Sequence, residues 1–164
     1  LPLSTIISYV KQITDALQYI HDQGLIHRNI KPKAMLLDQK HEIVLGSFCV
    51  AVPAQNVPAD IVGTPSYMAP EQVQGKAFFA TDQYALATVV YEWLSGVRPF
   101  NAADPIEMVV QQVFNPPPSL REKVPSIPPD IEQVVMIALA KDPQQRFRSV
   151  KAFANALEQA AQLR

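Results

Sequence analysis

Within six residues the chain sets out an imidazole, a guanidinium, an amide and an ammonium, in His27-Arg28-Asn29-Ile30-Lys31-Pro32. The amide of Asn29 cannot take up a proton near neutral pH as a carboxylate can. Ala34, three residues past Lys31, offers no oxygen to a metal. Ser47, ahead of Phe48 and Cys49, carries a neutral hydroxyl, a poor ligand for a hard divalent cation. The other two histidines add nothing catalytic: His21 is expected on the exposed end of a helix and His41 in a hairpin turn, both solvated. Cys49 reads as a small apolar filler rather than a reactive thiol.

The elements that must hold these groups are organised around the stretch 81–96. Tyr84, Ala85, Leu86, Ala87, Val89, Val90, Tyr91, Trp93 and Leu94 place apolar side chains on nearly every helical face. A helix that is apolar all round is buried. Thr81 and Asp82 are N-cap types at its start, and Gly96 suits the left-handed turn at its end. Thr88 and Glu92 interrupt it, and it is too short to span a bilayer. The reading is a central helix with other helices around it.

Before it, residues 3–24 carry Ile6, Val10, Ile13, Leu17 and Ile20 at helical spacing, with Ser4 as cap and Gly24 as stop. Met35-Leu36-Leu37 and Ile43-Val44-Leu45 flank a polar turn and predict a small hairpin. Residues 46–71 show no periodicity and contain four prolines, so they predict a long loop of the functional or mobile kind. After the central helix, Asp104-Pro105 starts a helix carrying Ile106, Val109, Val110 and Val113. Residues 115–129 are proline-rich and read as an irregular connector. Residues 130–141 form a helix with Ile131, Val134, Val135, Ala138 and Leu139 inward. Ser149 caps the last helix, whose stripe is Val150, Phe153, Ala154 and Leu157.

With 164 residues, 48 % apolar and 18 % charged, the chain is one globular domain. Its formal net charge of -1 and lack of a basic run give no nucleic-acid footprint. A single cysteine excludes an intramolecular disulfide and suits a reducing, cytoplasmic setting. No signal-peptide pattern or membrane segment is read, and a start at Leu1 suggests a piece of a longer product.

Four stretches in order now carry a family resemblance: residues 27–32, Gly63-Thr64-Pro65-Ser66-Tyr67-Met68-Ala69-Pro70-Glu71, Asp82 opening the buried helix, and Lys141-Asp142-Pro143-Gln144-Gln145-Arg146-Phe147. Together they resemble the C-terminal lobe of a bacterial-type serine/threonine protein kinase. The resemblance implies a mainly α fold, helices around a buried central helix plus a small β-hairpin, over residues 1–164. It places a catalytic-loop region at 25–37, an activation-segment region at 46–71 and the central helix at 81–96. It implies that Lys31 contacts the transferred phosphate and that Thr64 braces the catalytic loop. Glu71 pairs with Arg146, Asp82 receives backbone N–H groups of that loop, Arg28 meets a phosphorylated activation loop, and His27 packs on Phe48.

The same resemblance marks what is substituted. The family's catalytic base position is Asn29, and its metal-binding positions are Ala34 and Ser47. Base and metal are lost together, which resembles a pseudokinase that binds or regulates a protein partner. The alternatives are a kinase with residual activity when joined to an upstream N-lobe, and a non-functional gene fragment. No Gly-rich loop or strand lysine is found, so the N-lobe is expected to be absent here. ATP and Mg²⁺, the family's cofactors, are not expected to bind this chain. The expected partner is a protein or an upstream N-lobe.

Overall fold

The computed structural model describes residues 1–163. Its centre is the apolar stretch read above. Every residue from Thr81 to Tyr91 is buried, in a helix spanning Phe79–Ser95. The helix starts two residues earlier than expected, and Thr81 and Asp82 are not its caps. The N–H of Phe78 donates to Thr81 Oγ1 at 2.9 Å, so Thr81 reaches back from the first turn. Asp82 is thereby left to serve the loop described below. Gly96 closes the helix as expected, with φ of 80° and its N–H on Glu92 O at 2.7 Å.

Around this core the elements follow in chain order. Helix α1 is Leu3–Asp22; Ser4 does not cap it, because Pro2 O already accepts the Ile6 N–H at 3.0 Å. Strand β1 is Leu25–Ile26, β2 is Met35–Leu37, β3 is Ile43–Leu45 and β4 is Val52–Pro53. The next helices are α2 (Pro70–Val73), α3 (Phe79–Ser95), α4 (Pro105–Phe114), α5 (Leu120–Lys123), α6 (Pro129–Ala138) and α7 (Val150–Gln162). The fold is therefore mainly α, as the pattern predicts. Helices α1, α6 and α7 bury Ile6, Val10, Ile13, Leu17, Ile131, Val135, Phe153 and Leu157 in one cluster with Leu86 and Val90 of α3. Ser149 caps α7 by accepting the Ala152 N–H at 3.0 Å. Asp104 caps α4 by accepting the Ile106 N–H at 3.0 Å. On α4 the buried side chains are Met108 and Gln112, while Ile106 and Val110 are exposed.

Two expectations are corrected. The stretch 115–129 is not wholly irregular: Ser119 starts α5, and the fully buried Leu120 fixes it to the core. The segment 46–71 is not all loop. Its β4 pairs antiparallel with β1, Leu25 opposite Pro53 and Ile26 opposite Val52. Two-residue strands joined over such a distance leave no periodicity to read. Among the described residues no helix is long and apolar enough to cross a membrane.

Strands β2 and β3 form the expected hairpin, with Leu36 opposite Val44. Met35, Ile43 and Leu45 face the helices; Leu36, Leu37 and Val44 are 61 %, 56 % and 51 % exposed. Alternation turns Leu36 and Val44 away from the helices, while Leu37 shares the face of Met35 and is exposed at the far end of the strand. A contiguous apolar patch of this kind promotes association. The variant Leu36→Thr, Leu37→Ser, Val44→Thr should bind less of an apolar-surface dye and stay monomeric at concentrations where the parent associates. Light scattering across a dilution series checks this; equal association in both would show that the patch is inert.

Candidate functional site

The loop after β1 is held by one carboxylate. Asp82 of α3 is fully buried, and its Oδ2 and Oδ1 accept the backbone N–H groups of His27 and Arg28, each at 2.9 Å. The Nε2 of His21 lies 2.8 Å from Oδ2. A carboxylate only accepts, so that imidazole nitrogen carries the hydrogen. This corrects the solvated reading of His21. It stands four residues after Leu17, so it continues the buried stripe of α1 rather than leaving it.

Arg28 adopts a left-handed φ of 66°, a conformation that costs about 1–3 kcal/mol in a non-glycine residue. Its side chain is equally constrained. Nε donates to Val50 O and Nη1 to the Asp60 carboxylate, both at 2.8 Å. His27 is buried; its Nε2 donates to Gly46 O at 2.8 Å, its Nδ1 accepts the Asn29 N–H at 3.2 Å, and its ring meets Phe48 edge-on at 4.8 Å. Cys49, expected as a filler, is exposed instead. It sits in a short 3-10 turn, Phe48–Val50, in which Phe48 makes the contact with His27.

Asn29, Lys31 and Thr64 come together. Lys31 Nζ donates to Thr64 Oγ1 at 2.8 Å, and that hydroxyl donates to Asn29 Oδ1 at 3.1 Å. Ala34 and Ser47 bring no carboxylate or amide oxygen to this group. Ala34 is buried and takes the Gly46 N–H on its carbonyl at 2.8 Å, while Ser47 is exposed with a left-handed φ of 61°.

The segment leading to α2 is tied to the loop at Gly63. A Cβ there would meet Arg28 O at 3.1 Å and Gln72 Nε2 at 3.2 Å, so only glycine fits. Gln72 is buried and donates to Arg28 O at 3.1 Å while accepting the Ala69 N–H at 2.9 Å. Glu71 and Arg146 form a buried bidentate pair at 2.7 and 2.9 Å. Arg146 spends its remaining N–H bonds on the carbonyls of Ala80, Ala140 and Lys141. Its guanidinium lies 4.9 Å from the Tyr84 ring. Tyr67 donates to Glu92 Oε2 at 2.6 Å; burial and then the Glu92 carboxylate push its phenol above the ordinary range.

The ten candidate positions thus form three groups, with Ala34 and Ser47 outside them. His27 and Arg28 hang from Asp82; Asn29, Lys31 and Thr64 share one hydroxyl; Glu71 and Arg146 pair. Sequence reading missed Asp60 and Gln72, missed the buried place of His21, and missed Gln112 of α4, whose Nε2 donates to Ser66 O at 3.0 Å. Only His21 left a signal, its spacing from Leu17. Asp60 lies in an aperiodic segment, and its meeting with Arg28 spans 32 positions.

Comparison with known proteins follows the same line. A model of the protein kinase domain family matches residues 1–158. The chain is 34 % identical over 168 residues to serine/threonine-protein kinase Pkn1 of Myxococcus xanthus, covering 96 % of this chain and 24 % of that protein. It is 34 % identical over 162 residues to serine/threonine-protein kinase PknA of Mycobacterium tuberculosis, covering 96 % and 37 %. The chain therefore spans about a quarter to a third of the length of these relatives.

Removing one member of a buried pair strands the other, at about 3–5 kcal/mol. Glu71→Ala and Arg146→Ala should each destabilise on that scale, and the double variant by less than their sum. Additive losses in urea denaturation would overturn this. Lys141 gives a second test. Burial, and next the Arg146 charge, lower its ammonium from 10.5 to about 8. Between those values the unfolded chain holds a proton the folded one has released, so this group's contribution to stability rises with pH. The parent should gain stability relative to Lys141→Met from pH 8 to pH 10; parallel pH profiles would refute it.

Proposed function

The chain belongs to the protein kinase domain family, and on that premise we propose that it is the C-terminal lobe of a kinase-like domain that works as a pseudokinase, by binding or regulating a protein partner. Residues 25–37 then form the catalytic-loop region and 46–71 the activation segment. The observation that carries this reading is the side chain of Asn29. It stands where the family has its base carboxylate, and its Oδ1 accepts the Thr64 hydroxyl hydrogen at 3.1 Å. An amide in that place positions a hydroxyl but takes no proton from it.

The donor set points the same way. Magnesium in this family is held by carboxylate and amide oxygens, and the two positions here carry Ala34 and Ser47. Neither fits the ion.

What remains supports docking. Lys31 and Thr64 stay bonded at 2.8 Å, and 63–67 is braced from the loop, from α3 and from α4. Arg28 is already met by Asp60 at 2.8 Å, which holds the activation segment in place with a carboxylate from within the chain. The retained Lys31–Thr64 contact also supports a second reading, residual serine/threonine kinase activity when the lobe is joined to a nucleotide-binding one.

The test is phosphoryl transfer by the protein at its full natural length, given labelled ATP, Mg²⁺ and a generic Ser/Thr substrate. No label above the blank is expected. Time-dependent label that Lys31→Ala abolishes would overturn the pseudokinase reading in favour of the second one.

A further inference from the structure

Gln112 is fully buried on α4, four residues after the buried Met108. It is the side chain through which α4 reaches the segment 64–67. Its side chain is fully engaged: Oε1 accepts the Tyr84 hydroxyl hydrogen at 2.6 Å, and Nε2 donates to Pro65 O at 3.2 Å and Ser66 O at 3.0 Å. Its own carbonyl, in the last turn of α4, accepts Lys141 Nζ at 2.7 Å. That ammonium lies 4.4 Å from the Phe100 ring.

We propose that Gln112 is the positioning residue of the 64–67 segment, setting where its backbone stands for an extended peptide to dock. The docking role rests on the pseudokinase reading above; the positioning role rests on geometry alone. Thr64 is fixed to the loop by Lys31 and Asn29, and Tyr67 is fixed to α3 by Glu92. Between these two anchors the chain presents carbonyls, and one amide group on α4 takes both. The direction of that amide is not free. Tyr84 is fully buried, and burial keeps its phenol protonated, with a hydrogen to give. That hydrogen claims Oε1, so the NH₂ end faces the carbonyls. Tyr84 is itself held beneath the Arg146 guanidinium, which links the Glu71–Arg146 pair to the segment through one side chain.

Glutamate in this place keeps the shape and replaces two N–H donors by at most the one O–H of a buried, protonated carboxyl. Gln112→Glu could still accept from Tyr84 but would set oxygen against the Pro65 and Ser66 carbonyls. Removing a donor from these part-buried carbonyls, of which Pro65 O keeps only the long bond from the Met68 N–H, shifts a local opening equilibrium by about tenfold. The readout is amide hydrogen exchange at Tyr67 and Met68, whose N–H groups donate to Thr64 O and Pro65 O. In Gln112→Glu both amides should exchange about tenfold faster, with Val89 and Val90 of α3 unchanged. Tyr84→Phe, which loses one hydroxyl and no volume, should show a smaller rise at the same two amides. It carries the test if the glutamate variant does not fold. A uniform rise across α3, or none at Tyr67 and Met68, would overturn the proposal.

A second arm separates the two roles. Parent protein is applied to an array of degenerate 15-residue peptides centred on serine or threonine. If it binds, Gln112→Glu should bind about tenfold more weakly; equal binding overturns the docking part. If the parent binds no peptide, the docking reading fails, and the exchange pattern decides the positioning role by itself.

Discussion

Everything at this site hangs from the Asp82 carboxylate. It is fully buried and takes two backbone N–H groups and an imidazole. Buried without them it would be costly by several kcal/mol; with them it dictates the path of the chain at 27–28. Arg28 enters the left-handed region because its N–H must reach Oδ1. That turn in the backbone sends Arg28 O toward Gln72 and Gly63, and the side chain toward Val50 and Asp60. One fixed acceptor on the most deeply buried helix therefore sets the loop and, through the loop, the segment 46–71.

The second support is the pair Glu71–Arg146. Arg146 uses both arms and its Nε, so each N–H of the guanidinium has an acceptor. Glu71 is also bonded by Thr81 at 2.8 Å, the same hydroxyl that receives the Phe78 N–H. The start of α3 is thus locked on one side to the loop, by Asp82, and on the other to the late helices, by Thr81 and Arg146. Gln83 adds a third tie, clasping the Phe147 backbone through both ends of its amide. Four consecutive kinds of function fit in 80–83 because the helix there is surrounded on all sides.

That surrounding is what made α3 legible. A stretch with apolar residues at every angle has one interpretation in a chain this size, and the stripes of α1, α6 and α7 follow from it. Caps announced by Asp104 and Ser149 were readable because they act within two or three positions. What stayed hidden acts over distance or through polar side chains. Asp60 meets Arg28, Gln112 meets Pro65 and Ser66, and β4 meets β1, each across a gap with no local period. Thr81 misled for a different reason: it is a capping type, but it works from inside the first turn. Cys49 was misjudged because burial was inferred from its chemistry, while no residue of the turn Phe48–Val50 is buried.

The position of Asn29 shows how a contact can be kept without a basic group to make it. A carboxylate and an amide oxygen both accept the Thr64 hydroxyl hydrogen, so exchanging one for the other leaves that contact in place. What disappears is basicity, on which nothing structural depends. The same holds for Ala34, whose structural task is done by its carbonyl on the Gly46 N–H. At Asp82, Glu71 and Arg146 the reverse is true, because there charge and geometry are the same thing and no neutral residue reproduces five or three bonds at once.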